Sequence, residues 1–406
     1  MGDFFQNGMI NTLHRLGDLN LKQLERRLKK HSKKRPVALV LPALYSDLKS
    51  PAMAGILAIL KEVNYIRQIV LALAKANEDE FEDACRTVSS LPQKVSVIYN
   101  DGERMQMLYK LLDEKGLSAG QDGKGRSAWL SYGYVLAKEE CDVIALHDCD
   151  VVSYGREFLA RLLFPVVHPN LNFEFCKGYY SRVTDRMHGR VTRLFVTPLI
   201  RSLERIFGHL PFLVYLDSFR YPLAGEFSMI SDLARVNRIP GDWGLEVGVL
   251  AEVYRNCSVN RICQVDLCDS YEHKHQGLSP EDASTGLLKM SIDICKSLFR
   301  TLSSQGVYIS QGHFRTLKAA YVREAEEFIA KYSNDAIIND LKFDRHEEAT
   351  AVEAFAKGIS VAAQTYLENP IGAPLIPNWN RVAAAIPGFL DLLAESVELD
   401  NEKDYS

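Results

Sequence analysis

The first half of the chain repeats one pattern, in which a short apolar run precedes a longer segment whose apolar residues recur at helical spacing. The apolar runs, which predict buried strands, cover 36–44, 65–73, 94–100 and 143–146. The intervening helical patterns cover 52–63, 78–91 and 127–138. Strands that alternate with helices are typical of a parallel, doubly wound sheet. Right-handed crossovers would then bring the carboxyl ends of the strands to one rim.

Helical spacing also dominates both ends of the chain. Residues 10–30 predict one amphipathic helix, which ends in a basic run that is either solvated or a membrane-surface patch. After residue 280 the predicted helices are 287–302, 314–332, 346–366 and 381–393, the last one split at Pro387-Gly388. The acidic residues that follow are expected to fray.

We therefore expect three parts: an N-terminal helix with a basic linker (1–35), an α/β domain (36–280) and a helical C-terminal region (281–406). The helical region is expected to cover the α/β domain or to build an oligomer, and we expect a homodimer.

Composition excludes several classes of protein. The chain has 406 residues, 47% of them hydrophobic, and a net charge of -4, which does not favour nucleic-acid binding. It has no run of eighteen apolar residues, so no membrane span is expected, and its N-terminus lacks the layout of a signal peptide. Eight cysteines without C-x-x-C spacing indicate reduced thiols. We expect a cytoplasmic protein.

The strand at 143–146 is followed closely by Asp148-Cys149-Asp150. Parallel sheets hold ligands at the carboxyl ends of their strands, and two carboxylates there can share a divalent cation with the oxygens of a diphosphate. A solvated turn is the alternative interpretation. Cys149 is interpreted as a small filler between the two aspartates rather than a nucleophile.

Two further stretches have the composition of anion sites. In GQDGKGR, the glycines around Lys124 allow the backbone to approach a phosphate beside a lysine charge, although a flexible turn would have the same sequence. In HGRVTR, Gly189, Arg190, Thr192 and Arg193 open a helix, where free N–H groups and guanidinium groups favour a phosphate or carboxylate. A capped helix with solvated arginines is the alternative.

Glu226 and two histidines have candidate roles beside these sites. Glu226 follows a glycine in an apolar setting, where it either accepts sugar hydroxyls or is a buried, structurally paired glutamate. His273 and His275 follow the predicted strand 260–267, and one imidazole could complete a metal shell that Asp150 begins. Polar surface is the alternative for this pair.

Taken in order, these motifs resemble the glucosyl-3-phosphoglycerate synthases. The matching elements are VLPAL, GKG, the D-x-D, KGYYSR, GRVTRLFVTPLI, PLAGEF, DWGLEVG and the later His273. The resemblance covers roughly 36–276. It implies a retaining glycosyltransferase of the GT-A fold, an α/β architecture with a Rossmann-like, mostly parallel sheet, here followed by a helical C-terminal extension. It further implies Mg²⁺- or Mn²⁺-dependent transfer of glucose from NDP-glucose to the 2-hydroxyl of 3-phosphoglycerate, a route to compatible solutes or polysaccharide precursors.

The resemblance also implies a role for each matching residue. Residues for the nucleotide sugar would be Pro42, Ala43, Leu44, Lys124, Asp148, Cys149 and Glu226, with Glu226 on the sugar hydroxyls. The divalent metal would be bound by Asp150 and His273. Residues for the acceptor phosphate would be Gly189, Arg190, Val191 and Thr192. Catalysis would depend on Asp150, Glu226 and Lys124.

Departures from the family pattern leave some alternatives open. Tyr45-Ser46-Asp47 replaces an Asn-Glu-Glu, and 71–75 lacks a carboxylate, so the base is either uracil or guanine. The loop around His273 is one residue longer, which keeps His275 as an alternative ligand. Related mannosyl-3-phosphoglycerate and mannosylglycerate synthases share several motifs, so a mannosyl donor or an unphosphorylated glycerate acceptor is possible. A sugar nucleotidyltransferase and a non-catalytic nucleotide-binding protein are more distant alternatives.

Overall fold

A computed structural model describes residues 4–6, 8–17, 19–240, 244–272, 286–372 and 374–402. In these residues one eight-stranded sheet has the order β1-β8-β6-β7-β5-β2-β3-β4. The strands are β1 (Asn11–Leu13), β2 (Val37–Leu44), β3 (Gln68–Ala74), β4 (Lys94–Tyr99), β5 (Val143–Leu146), β6 (Phe175–Tyr179), β7 (Phe227–Ile230) and β8 (Ile262–Asp266). β7 runs antiparallel to both of its neighbours, and the other pairs are parallel.

Helices surround this sheet and continue beyond it. Those that precede β7 are α1 (Leu21–His31), α2 (Tyr45–Leu48), α3 (Pro51–Glu62), α4 (Glu78–Val88), α5 (Glu103–Glu114), α6 (Lys124–Lys138), α7 (Arg156–Val167), a π-helix (Val191–Val196), α8 (Thr197–Phe207) and α9 (Pro211–Asp217). Those that follow it are α10 (Ser231–Val236), α11 (Leu245–Asn256), a 3₁₀ turn (Val259–Arg261), α12 (Gly286–Ser304), α13 (Gln311–Ile338), α14 (Arg345–Glu368), α15 (Trp379–Ala385) and α16 (Phe389–Asn401). In the part of the chain described here, no helix is long and apolar enough to cross a bilayer.

The sheet is buried on both faces, which explains why its strands are apolar runs without alternation. Along β2, Leu39 and Leu41 face one core, which contains side chains of α3, α4 and α7. Ala38 and Val40 face the other core, which contains side chains of α6, α8 and α11. The prediction of a mostly parallel, doubly wound α/β sheet with helices after it is confirmed.

The N-terminal segment differs from its prediction as a single helix over 10–30. Residues Asn11–Leu13 form an edge strand that pairs in parallel with β8. The helix begins only after Asn20, whose side chain accepts a hydrogen bond from the Gln23 amide at 3.0 Å. Because strand pairing and an N-cap both depend on contacts that helical spacing does not report, the leucine pattern alone placed the helix start too early.

The acidic C-terminal segment is also more ordered than predicted. α15 and α16 are separated at Pro387-Gly388, as expected, but α16 continues to Asn401. Asp400 pairs with Arg104 at 2.5 Å, and the Asn401 amide accepts from Val97 N at 2.9 Å and donates to Val97 O at 2.8 Å. Since β4 is the open edge of the sheet, these bonds satisfy backbone groups that would otherwise face water.

The C-terminal helices are fixed to the sheet through a stacked tryptophan pair. The rings of Trp129 in α6 and Trp379 in α15 stack with centroids 4.1 Å apart, and Trp129 Nε1 donates to Pro377 O at 2.7 Å. Gly133, one turn along α6, lies under the Trp379 ring, and a Cβ atom there would lie 2.2 Å from it. A side chain at position 133 would therefore displace the Trp379 ring from its stacked position on Trp129.

We expect Gly133→Ala to lower the free energy of unfolding by about 1–3 kcal/mol through overpacking. Urea unfolding followed by tryptophan fluorescence would measure it. Gly55→Ala is the matched control, because a Cβ at this α3 position meets nothing within 4 Å. It should stabilise the protein by about 0.5–1 kcal/mol through the higher helix propensity of alanine. Equal effects of the two substitutions would contradict the packing argument.

Candidate active site

One cleft of about 790 Å³ opens at the carboxyl ends of β2, β3, β5 and β6. Its lining includes many of the residues predicted from sequence, namely Pro42, Ala43, Leu44, Lys124, Asp148, Cys149, Asp150, Gly189, Arg190 and Val191. The predicted ligands His273 and His275 lie outside the described residues. The volume is in the range of sites for drug-sized and nucleotide-sized ligands.

The two aspartates leave β5 on a turn that His147 holds in place. His147 is fully buried, and burial lowers the pKa of its ring to about 4, so the imidazole is neutral. Its Nδ1 lies 2.9 Å from Asp148 O and must donate to that carbonyl, which leaves Nε2 to accept from Tyr154 OH at 3.0 Å. The imidazole thus fixes the backbone from which both carboxylates project.

Lys124 links three elements at the floor of the cleft. It is the first residue of α6, and its Nζ lies 2.6 Å from Asp148 Oδ1 and 3.0 Å from Glu246 Oε1 in α11. Burial lowers the pKa of Lys124, but the charges of Asp148 and Glu246 outweigh it and raise the pKa well above its ordinary value. The ammonium therefore stays charged throughout the physiological range.

The ion pair between Lys124 and Asp148 requires a glycine beside it. A Cβ at Gly225, just before β7, would lie 2.4 Å from Asp148 Oδ2 and 2.9 Å from Lys124 Nζ. The glycine of the PLAGEF motif therefore leaves the room that this pair occupies. Helix α6 has a glycine, Gly123, at its N-cap, so no side chain caps its first N–H groups. These N–H groups and the charge of Lys124 together suit an anion.

Asp150 and Cys149 have different environments although they are neighbours. Burial, and then the negative charge of Asp148, raise the pKa of Asp150 to about 6. A cation beside this carboxylate would stabilise its charged form. Burial raises the pKa of the Cys149 thiol well above its ordinary value, so it stays protonated, which agrees with its interpretation as a filler.

Glu226 lies behind the wall of the cleft rather than in it. Its side chain is fully buried, and its two oxygens accept from Tyr180 OH and Tyr271 OH, each at 2.7 Å. The two tyrosine rings stack with centroids 3.7 Å apart. Burial and then the Asp148 charge raise the pKa of Glu226 to about 7. Tyr180 and Tyr271 line the cleft whereas Glu226 does not, and its expected contact with sugar hydroxyls stays a prediction.

Lys177 is a second buried cation near the same carboxylates. It lies on β6 with no exposed surface, and its Nζ has no hydrogen-bond partner among the described residues. Burial lowers the pKa of Lys177 to about 8, partly opposed by the charges of Glu246 and Glu226. Lys177 is thus neither exposed to solvent nor part of the cleft lining.

The predicted anion site is built on a π-helix. Gly189 has φ +74, a conformation that suits glycine, and it turns the chain into the helix that carries Arg190. Arg190 Nε donates to Glu348 Oε1 and its terminal nitrogen to Glu347 Oε2, both at 2.7 Å. The arginine is therefore neither free for a ligand nor simply solvated, because α14 supplies it with carboxylates.

The rest of the motif is less exposed to the cleft. Arg193 donates to Glu348 Oε2 at 3.0 Å, so the buried Glu348 bridges two arginines. Thr192 is buried, and its hydroxyl has no hydrogen-bond partner among the described residues. It does not belong to the lining, in contrast to Gly189, Arg190 and Val191.

Sequence reasoning missed several residues of the cleft. These are Arg182, Arg186, Glu246, Lys289 and Glu347. Arg182 and Glu246 lie inside the KGYYSR and DWGLEVG motifs, so their motif context was a usable signal. Lys289 and Glu347 lie in α12 and α14, where charged residues at helical spacing are indistinguishable from an ordinary solvated face.

Two curated relatives match the whole chain, and both are glucosyl-3-phosphoglycerate synthases. The enzyme from Persephonella marina is 52% identical over 404 residues, which cover 100% of each chain. The chain belongs to the glucosyl-3-phosphoglycerate synthase family. The enzyme from Methanococcoides burtonii is 38% identical over 408 residues, 99% of each chain. A search of protein-family models found no match.

Solved structures show the same fold. Glucosyl-3-phosphoglycerate synthase from Mycobacterium tuberculosis, in complex with Mn²⁺, UDP-glucose and phosphoglyceric acid, matches with a TM-score of 0.53 at 20% identity. The match covers 74% of this chain and 89% of that one. The same enzyme with Mg²⁺ and UDP matches with a TM-score of 0.53 at 21% identity. The family's GT-A fold is thus shared, as the sequence predicted.

We expect Gly225→Ala to fold, because the nearest atoms that its Cβ would meet are the side-chain ends of Asp148 and Lys124 rather than backbone. Displacing this pair should weaken binding of UDP with Mn²⁺ about tenfold, the scale of one charge-assisted hydrogen bond. Isothermal titration calorimetry would measure the affinity. Gly155→Ala is the control, since a Cβ there meets nothing within 4 Å. Wild-type affinity in Gly225→Ala would contradict a role for the pair.

Proposed function

We propose that this protein transfers glucose from a nucleoside-diphosphate glucose to the 2-hydroxyl of 3-phosphoglycerate, with retention at the anomeric carbon, in the cytoplasm. The observation that carries the proposal is one cleft lined by the D-x-D carboxylates and by the arginine of the GRVT motif. A metal-held diphosphate and a phosphorylated acceptor require these two chemistries side by side. Full-length relatives that carry this activity in their names support it.

The donor is proposed to lie between β2 and α6. Pro42, Ala43 and Leu44 line the cleft at the end of β2 and would contact the nucleoside. Lys124 and the uncapped start of α6 would face the diphosphate, where a positive charge and free N–H groups are favourable. Uracil is the proposed base, because the Mycobacterium tuberculosis enzyme of the same fold holds UDP-glucose.

A divalent cation, Mg²⁺ or Mn²⁺, fits the chemistry of the D-x-D turn. Asp148 and Asp150 both line the cleft, and Mg²⁺ takes one or two protein carboxylates with phosphate oxygens. Asp150, whose pKa is raised by burial, is the proposed protein ligand, with His273 as the second. When bound, the cation would neutralise charge on the departing diphosphate. Within the described residues no cluster of three metal-ligating side chains occurs.

The acceptor is proposed to lie against the start of the π-helix. Arg190 would bind its phosphate, and Arg182 and Lys289 are further cations in the cleft lining. In the reaction the bond from the anomeric carbon to the diphosphate oxygen breaks, and a bond to the acceptor 2-oxygen forms. The acceptor's hydroxyl proton passes to the leaving diphosphate. Holding the acceptor 2-hydroxyl beside the anomeric carbon of the donor supplies much of the rate enhancement.

Glu226 has a proposed positioning role. Its hydrogen bonds fix Tyr180 and Tyr271, which form part of the cleft wall. Tyr271 is followed closely by the proposed ligand His273. The carboxylate would therefore act through the tyrosines rather than on the sugar itself.

The reaction is tested by measuring nucleoside-diphosphate release with Mg²⁺, using UDP-glucose, GDP-glucose and GDP-mannose, each with 3-phosphoglycerate and with glycerate. We expect release with UDP-glucose that requires 3-phosphoglycerate. Release with glycerate but not with 3-phosphoglycerate would show that the acceptor carries no phosphate, which would contradict this part of the proposal. Pyrophosphate release from an NTP and a sugar phosphate would instead indicate a nucleotidyltransferase.

As the pH is lowered, metal affinity should begin to fall at a higher pH than it would if the metal ligand had the pKa of an ordinary aspartate. Because the pKa of Asp150 is about 6, lowering the pH from about 7 to about 5 should reduce Mn²⁺ affinity in the presence of UDP about tenfold. Electron paramagnetic resonance of free Mn²⁺ would measure it, corrected for the titration of UDP in buffer. Asp150→Asn should bind weakly and lose less affinity in acid than the wild type, the remaining loss being that expected from protonation of the proposed imidazole ligand His273. An identical acid profile in this variant would exclude Asp150 as the titrating ligand.

A further inference from the structure

The C-terminal helical region reaches into the acceptor end of the cleft. Glu347 lies in the first turn of α14 and lines the cleft, with about half of its side chain exposed. Its Oε2 accepts from the terminal nitrogen of Arg190 at 2.7 Å. This nitrogen belongs to the guanidinium proposed to bind the acceptor phosphate, so a protein carboxylate already stands where the substrate would bind.

The two adjacent glutamates hold Arg190 in different ways. Glu348 is buried and pairs with both Arg190 and Arg193, which fixes the guanidinium at its Nε side. Glu347 holds the terminal nitrogen from an exposed position. Exposed ion pairs are weak and screened, whereas removing a partner from a buried pair is costly. Glu348 is therefore a permanent support, and Glu347 is a contact that a stronger anion can replace.

The backbone beneath Glu347 need not move for this exchange. The N-cap residue Asp344 accepts from the amides of His346 and Glu347 at 2.9 and 3.0 Å, which anchors the first turn. Rotation of the exposed Glu347 side chain alone would release the Arg190 nitrogen. A phosphate carries more charge than a carboxylate and can accept both prongs of a guanidinium, so it is the favoured occupant.

We propose that Glu347 is an affinity-determining residue of the acceptor site, which occupies the phosphate position on Arg190 until the phosphate of the acceptor displaces it. This inference rests on the proposed function, because it takes Arg190 as the acceptor's anchor. A residue that competes for the anchor reduces the apparent affinity of every ligand that needs it. It leaves the donor and the chemical step unchanged.

Glu347→Gln, which keeps the shape of the side chain and removes its charge, tests this. We expect the KM for 3-phosphoglycerate to fall about two- to fivefold, the scale of one exposed ion pair. The KM for the donor and kcat should stay at the wild-type values. Glu353→Gln is the control, because Glu353 is exposed on the same helix and its loss changes the net charge equally. It should leave all three constants unchanged.

Inorganic phosphate provides a readout that does not need turnover. Its affinity, measured by calorimetry, should rise in Glu347→Gln and stay constant in Glu353→Gln. An unchanged or weaker phosphate affinity in Glu347→Gln would overturn the inference, even if the wild type transfers glucose as proposed. If the wild type fails to use 3-phosphoglycerate, the proposed function fails, and the phosphate affinity still decides whether Glu347 competes for Arg190.

Discussion

The ion pairs of Lys124 with Asp148 and Glu246 are the interaction on which the cleft depends. They join the start of α6, the end of β5 and the start of α11. A lysine surrounded in this way keeps its charge. Because each of these elements is packed on the buried sheet, the cluster has little freedom to rearrange when a ligand arrives. The site is thus organised before it is filled, which is the condition for electrostatic catalysis.

The carboxylates and the arginines that line the cleft come from different parts of the chain. The D-x-D carboxylates lie where β5 ends, whereas the arginines lie at the start of the π-helix and in the segment after β6. The C-terminal helices supply the counter-charges of Arg190 and Arg193. These helices therefore do more than cover the sheet, since they hold two guanidinium groups through one buried carboxylate, Glu348.

The sequence was most informative where burial is complete on both sides of a strand. β2 and β5 were predicted closely because a doubly covered parallel strand must be apolar throughout, and no tertiary contact can hide that. The D-x-D turn followed directly from the end of β5. Helix α5 was missed, and the edge strand β1 was taken for helix because its short pairing with β8 is a long-range contact.

The partners of the charged residues were beyond a sequence argument. Arg190 and Glu348 are 158 residues apart, and local spacing carries no information on such a pair. The partners of Glu226 were also beyond prediction. Its apolar setting was recognised from sequence, but the two tyrosines that donate hydrogen bonds to its oxygens were not. Spacing reports which residues share a face, and side-chain chemistry reports what each could bind, but only the fold decides which of them meet.

The bonds between Asn401 and Val97 have a consequence for how the chain is made. The two residues are separated by 304 positions, so the exposed edge of β4 gains its cover only after α16 has been synthesised. Until then a nascent chain carries a complete strand with unpaired backbone groups on one side, the kind of surface that pairs with other chains. Helix α16, which is synthesised long after β4, is therefore the element that ends this exposure.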